Sequence, residues 1–209
     1  MSAINQTQTD DKETGRLEAF SDGVFAIAIT LLIIEIHVPE VGEGEGTRNL
    51  ASALVELWPS YPAYPITFLT IAVMWVNHHH LFKYIKRMDN VLLFLNSLLL
   101  MVITFLNFST ALLAEYIQHP EQQTAALFYT GTMVVIAIIF NLLWRYVSAN
   151  GRLLGKDADM AMVRSITDRY RFGPILYSAA FVLVFVSVAA SLALQLGMAV
   201  FFALTGVRK

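Results

Sequence analysis

The chain has 209 residues, of which 56% are hydrophobic and only 14% charged, with a net charge of −2 and a mean hydropathy of +0.59. Soluble globular proteins carry about 25% charged residues, so a water-soluble fold is excluded. A near-neutral balance also speaks against a nucleic-acid binder, which is usually basic, and 14 Phe, 8 Tyr and 3 Trp are incompatible with disorder. The absence of Cys removes disulfides, thiolate metal sites and cysteine nucleophiles.

The first 19 residues are polar and of mixed charge, unlike a cleaved secretory leader. We expect residues 1–16 to form a polar tail that stays attached. Charge-free runs follow at Gly23 to Ile34, Leu57 to Phe82, Asn90 to Ala114, Gln122 to Trp144 and Phe172 to Val207. A helix needs roughly 20 residues to cross the hydrocarbon core, so the second, third and fourth runs each fit one crossing. The first run is short, and it spans only if Asp22 and Glu35 lie near its ends. The last run is 36 residues, which as one helix would be roughly 54 Å long. Two helices with a break near Ser187 to Ser191 fit a bilayer better.

The expected fold class is therefore an all-α membrane protein with six crossings, at roughly 18–38, 50–80, 90–116, 122–147, 171–187 and 190–207. These make a single membrane domain over 17–207, followed by a basic end at 208–209. Lys and Arg concentrate on cytoplasmic segments. With six crossings and a cytoplasmic N-terminus, 13 of the 14 basic residues lie inside and only Arg48 lies outside. Five crossings would put Arg208 and Lys209 outside. Gly42 to Thr47 reads as a flexible outer loop. Trp58, Pro59, Pro62 and Pro65 mark an interfacial start or a kink in the second crossing. The polar linker Ser148 to Arg171 is expected to hold a short helix near Asp159 to Tyr170. That helix either lies on the membrane face or continues into the fifth crossing.

Polar groups in hydrocarbon are costly and are read singly. Arg16-x-x-x-Phe20-Ser21-Asp22-Gly23 opens the first crossing, and Trp75-Val76-Asn77-His78-His79-His80 closes the second. Both fall at one membrane depth. A carboxylate facing an indole N–H, an amide and an imidazole would satisfy all four, giving a clamp that Asn96 on the third crossing could join. Consecutive histidines on a helix diverge by about 100°, so His78 to His80 do not make a metal site. His78 is expected to be structural and the other two to face solvent. On a helical wheel Phe20, Val24, Ile27, Leu31, Ile34 and Val38 share one stripe, with Thr30 beside it and Asp22 near the opposite side.

The Arg-x-x-x-Phe-Ser-Asp-Gly sequence followed by Ala26-Ile27-Ala28-Ile29-Thr30-Leu31-Leu32 resembles the transmembrane-protein-175 family of potassium channels. Trp75-x-Asn77-His78 with Leu81-Phe82 is similar to the family's second motif, and Asp89-Asn90 with Leu95-Asn96 resembles its third span. The resemblance covers most of the chain and is specific in spans one to three. It implies a prokaryotic six-span member that assembles as a homotetramer in the cell membrane, with both termini cytoplasmic and the first helix lining the pore. Carried over by position, Ile27 is the hydrophobic constriction, Leu31 and Ile34 are successive layers, and Thr30 is the selectivity layer. Arg16, Phe20, Ser21 and Asp22, with Trp75, Asn77 and His78, form the motif that holds the pore helix. Ala26 stands where the family sometimes has Ser, which shifts selectivity toward Thr30.

No Thr-Val-Gly-Tyr-Gly filter exists in the sequence, so a carbonyl cage has no basis. The resemblance implies a leak-type, potassium-permeable channel gated by wetting of the Ile27 ring. Its partners would be further copies of itself, the lipid bilayer and potassium ions, with no nucleic acid, cofactor or metal. A secondary transporter of a small cation or solute is the alternative, although neither a repeat nor a midplane helix break supports it. An intramembrane enzyme would need convergent catalytic groups, and only Asp22 with His78 approaches that. Glu35, Glu40, Glu43 and Glu45 would place negative charge around the outer entrance.

Overall fold

The computed structural model describes residues 2–40, 49–155 and 158–206. Seven α-helices account for most of them: α1 (Ser2–Leu31), α2 (Leu50–Glu56), α3 (Ser60–Phe82), α4 (Asn90–Tyr116), α5 (Gln122–Ser148), α6 (Met160–Leu183) and α7 (Val188–Gly206). No strand occurs among the described residues, only an isolated bridge between Ile85 and Leu154. Helices dominate for a physical reason: in hydrocarbon each backbone N–H and C=O must be satisfied within its own segment.

A shared core draws buried side chains from α1, α3, α4 and α5, together with Ile85, Leu153 and Leu154, and with Val163 of α6. α4 packs along α5, α5 along α6, α1 against both α3 and α4, and α3 against α7. Lipid tails are as apolar as Leu, so burial against lipid drives little association; close packing and interhelical hydrogen bonds do more. Several such bonds tie the bundle. Ser109 meets Thr132 at 3.0 Å and Thr67 meets Thr110 at 3.3 Å. Asn141 donates to the Tyr170 carbonyl at 2.9 Å and Trp144 to the Thr167 hydroxyl at 2.9 Å. Ser191 donates to the Ala180 carbonyl at 2.6 Å and fastens α7 to α6.

Three helical stretches are both long and apolar enough to cross a membrane: Lys12–Glu35, Asn90–Tyr116 and Gln122–Gly151; Val188–Leu204 is a shorter apolar helix. α3 and α6, with 23 and 24 residues, have the length but more polar content.

Three sequence expectations need correction. The segment expected to be one helix over 50–80 is two, because the chain turns at Leu57 to Pro59 between α2 and α3. Pro59 has no N–H to continue α2, and the turn closes with Trp58 donating to Val55 and Ser60 to Leu57. The N-terminal segment is helical from Ser2 and continuous with α1 rather than a separate tail. α1 does not run to residue 38. It tightens into a 3₁₀ turn over Leu32–Glu35, and Ile36 is extended. Pro39 lies just beyond and biases the residue before it, Val38, away from helix. The linker helix takes the second of its two expected courses and continues into the next apolar segment: α6 starts at Met160, capped by the Asp159 carboxylate accepting from Ala161 and Met162, and runs through to Leu183. The break between α6 and α7 falls between Leu183 and Val188, at the edge of the expected window. The loop Gly42 to Thr47 with Glu43 and Glu45, as well as Arg48, Lys156 and residues 208–209, lies outside the described residues.

The linker also docks on the loop after α3, a contact that no pattern of residue types signals. Lys86 and Arg87 N–H groups both donate to the Leu153 carbonyl, and Gly155 N–H donates to Tyr84. Asn150 and Gly151 adopt positive φ (55° and 64°) and reverse the chain so that Leu153 and Leu154 are buried. Asp89 completes the platform, accepting from the Tyr146 hydroxyl and the Arg152 guanidinium, each at 2.5 Å. Burial would raise the Asp89 carboxyl, but donation from Tyr146, the Leu92 N–H and the charge of Arg152 outweigh it and hold it below its ordinary value of 3.8.

Candidate functional site

α1 has two chemically different faces. Leu17, Ser21, Phe25, Ala28 and Leu32 recur at intervals of four, four, three and four, and all are buried. That spacing is a single helical stripe, and it faces α3 and α4. On the other side Phe20, Ile27, Leu31 and Ile34 are 60%, 56%, 42% and 65% exposed, and Thr30 is exposed with them. Val24 is half-buried and packs on the core, so it leaves the expected stripe. Val38 is 87% exposed but lies beyond the helix. The result is a largely aliphatic face, interrupted by one hydroxyl, that nothing among the described residues covers.

The buried face is held by a polar chain. The Ser21 hydroxyl donates to the Leu17 carbonyl at 2.9 Å and accepts from the Asn96 amide at 2.9 Å. The Asn96 carbonyl oxygen then pairs with His78 Nε2 at 2.8 Å. As an amide oxygen can only accept, His78 carries its proton on Nε2 in this arrangement. Phe82 stacks on the imidazole, with ring centroids 4.4 Å apart, and Phe25 lies tilted against it at 5.2 Å. Ser21, His78 and Asn96 are completely buried. Three helices, α1, α3 and α4, are thus joined through Asn96.

Asp22 makes a separate bond. Its carboxylate accepts from the Trp75 indole at 2.8 Å, on the partly exposed edge of the α1–α3 contact. The clamp therefore differs from the single constellation expected around Asp22. His78 has turned to Asn96, and Asn77 is half-buried and belongs to neither bond. The reason is helical phase: Trp75 and His78, three apart, lie side by side facing α1, and Asn77 points about 100° away from His78. Arg16 is exposed. His79 is not simply solvent-facing, as its Nδ1 lies 2.8 Å from the Glu18 carboxylate. Among the described residues no group of three His, Asp or Glu side chains gathers in a way that would hold a metal ion.

Two polar contacts lie near the exposed face. The Thr30 hydroxyl donates to the Ile27 carbonyl at 3.0 Å. Its hydrogen is used inside the helix, which leaves oxygen lone pairs to face outward as acceptors. Behind the same turn, Asn107 of α4 donates from Nδ2 to the Ala28 carbonyl at 3.0 Å. Asn107 is buried, and this contact fixes α1 one turn before it tightens to 3₁₀. Sequence reasoning missed Asn107. A lone amide in the middle of an apolar run was the available signal, since such a group must find a partner.

A groove of about 670 Å³ runs between the end of α1 and α4, lined by Leu31, Ile34, Glu35, Met101, Phe105 and Phe108 among others. Glu35 is half-buried at its edge, and Glu40 is exposed.

Comparison with known proteins matches these regions. The family model described as endosomal/lysosomal potassium channel TMEM175 matches residues 16–106, from the start of the α1 motif to α4. A potassium channel from Chamaesiphon minutus is 51% identical over 195 residues, covering 93% of this chain and 96% of that protein. Another from Streptomyces collinus is 44% identical over 182 residues, 87% of each chain. A crystal structure of a lysosomal potassium-selective channel TMEM175 homolog from Chamaesiphon minutus superposes with a TM-score of 0.82 at 46% identity, covering 93% of this chain and 98% of that one. Shared fold, shared length and an identity near one half make this chain a member of the TMEM175 family, a family of ion channels and not of enzymes.

Proposed function

We propose that four copies of this chain assemble around α1 and conduct potassium across the cell membrane of a prokaryote as a leak-type channel. The observation that carries the reading is the uncovered face of α1. A face of Ile27, Thr30, Leu31 and Ile34 backed by a fully buried polar network is costly to position so rigidly unless its outward surface has work to do. One helix cannot enclose an axis, and fourfold repetition of this face would. The names of the Chamaesiphon and Streptomyces relatives, both potassium channels matched over most of this chain, support the ion and disfavour the transporter alternative.

In this arrangement four Ile27 side chains form the constriction, with Leu31 and Ile34 as wider layers above it. Such a ring offers an ion no oxygen, so it gates by dewetting. Small displacements of α1 wet it and admit a partly hydrated ion. Thr30 oxygens, with their hydrogens turned inward, then supply acceptors at the adjacent layer. Potassium sheds its water more readily than sodium, and a narrow, weakly polar ring favours it. Six crossings with cytoplasmic termini put the Asp22–Trp75 and Ser21–Asn96–His78 contacts at the inner mouth, and Glu35 and Glu40 at the outer one, where they concentrate cations.

Purified chain in planar bilayers under opposed K⁺ and Na⁺ gradients tests the reading, with native mass of the complex as a companion. Currents that need no coupling ion and reverse toward the K⁺ equilibrium value from a four-chain complex are expected. Saturable, coupled uptake, or a complex of another size, would overturn it.

A further inference from the structure

A second feature lies away from α1. A cavity of about 260 Å³ sits among α3, α4, α5, α6 and α7, near the end of the bundle marked by Trp58 and Ile117, and no α1 residue lines it. Its wall is mainly apolar. The polar groups on it are Thr67, Thr70, Thr110, Tyr129, Tyr177 and Gln195, and no charged side chain contributes. Thr67 pairs with Thr110, and Thr70 donates to the Ile66 carbonyl at 2.8 Å. Gln195 differs from these. It is only 6% exposed, and neither its amide nitrogen nor its oxygen has a hydrogen-bond partner. An unmade hydrogen bond at a buried group costs about 1–3 kcal/mol, and Leu would fill the same helical position at no such cost. Trp58, Pro62, Ala193 and Leu196 are the exposed part of the wall, so the mouth lies on a helix surface of the bundle.

We propose that this cavity binds a neutral alcohol, an alkyl or ring body with a single hydroxyl head that bonds Gln195. Size sets the body. An apolar cavity of about 150 Å³ holds one benzene, and scaling by volume gives room here for roughly ten non-hydrogen atoms. The lack of charged lining excludes carboxylates, ammonium groups and phospholipid heads, because an unpaired charge would be left in low dielectric. The free donor and free acceptor of Gln195 match a hydroxyl, which both donates and accepts. Water alone fits poorly, since each molecule needs two to four polar partners and most of this wall offers none. The site does not depend on which residues gate the pore.

The test is photolabelling of the channel in liposomes with a diazirine-bearing alkanol of about ten non-hydrogen atoms, matched to that volume, followed by peptide mapping. Saturable labelling is expected on the α5 and α7 segments around Tyr129 and Gln195. It should be competed by 1-nonanol and not by nonane or nonanoate. Gln195→Leu removes the orphan amide, so it should fold at least as well as the parent, yet weaken 1-nonanol competition about tenfold, or ~1.4 kcal/mol. Ala63→Phe, which fills the cavity, should abolish the saturable label. Labelling spread over exposed residues such as Phe94 and Phe105, equal competition by nonane, or unchanged behaviour of Gln195→Leu would overturn the proposal.

Discussion

The two faces of α1 show opposite solutions to life in a bilayer. The inner face places a hydroxyl at Ser21 and surrounds it with Asn96 and His78, every one of them fully buried. The outer face places one hydroxyl at Thr30 among large aliphatic groups and leaves all of them uncovered. Hydrogen bonds hold the first face in one register, because losing a partner strands a polar group in low dielectric. Nothing comparable among the described residues restrains the second. The contrast teaches that the polar anchoring of α1 is confined to one side of the helix.

The comparison is broken most severely through Asn96. Asn96→Leu strands the His78 imidazole, while the Ser21 hydroxyl loses a donor but keeps its bond to the Leu17 carbonyl. A drop of about 2 kcal/mol in stability is expected for one stranded buried group, read as a lower melting temperature and loss of the assembled species in size-exclusion chromatography. Ile27→Asn acts on the other face. It should leave the melting temperature within experimental scatter, because Ile27 is 56% exposed. Currents should rise roughly tenfold, the change that ~1.4 kcal/mol in the wet–dry balance produces. Equal loss of stability in the two variants would erase the division between the faces.

Thr30→Ala sharpens it further. Removing an acceptor ring worth about 0.5 kcal/mol at the lower end for one hydrogen bond should shift the reversal potential toward sodium without closing the channel. The smallest effect lies at the Asp89 platform. The Asp89 carboxyl is held below its ordinary value of 3.8, so the unfolded chain takes up its proton first as pH falls. Its contribution to stability is therefore present above 3.8 and lost as pH falls through the lower folded value. Asp89→Asn should flatten this acid-side decline in melting temperature and leave the neutral-pH currents unchanged.

Much of this was legible from residue types. The Phe-Ser-Asp-Gly and Trp-x-Asn-His clusters announced themselves because polar groups in hydrocarbon need partners, and the break between α6 and α7 followed from bilayer thickness. The partners themselves were less legible. Asp22 was expected to gather Trp75, Asn77 and His78, and it holds only Trp75, since one turn of helix cannot aim three neighbouring side chains at one carboxylate. Asn107 escaped notice because its partner is a backbone carbonyl, which every residue possesses. The turn at Pro59 and the 3₁₀ end of α1 rest on local bonds beside prolines, the first of which the proline cluster marked, whereas the docking of Leu153 on the 84–87 loop is a tertiary contact that periodicity does not encode.

The central claim is that the uncovered face of α1 meets the ion path and the buried face does not. The chain contains no Cys, so single cysteines can be introduced without any background thiol. Currents through Ile27→Cys, Thr30→Cys and Ile34→Cys channels should be blocked by a small charged thiol reagent, and those through Phe25→Cys, Ala28→Cys and Leu32→Cys should not. Block at Phe25 or Ala28, or none at Ile27, Thr30 and Ile34, would contradict the account.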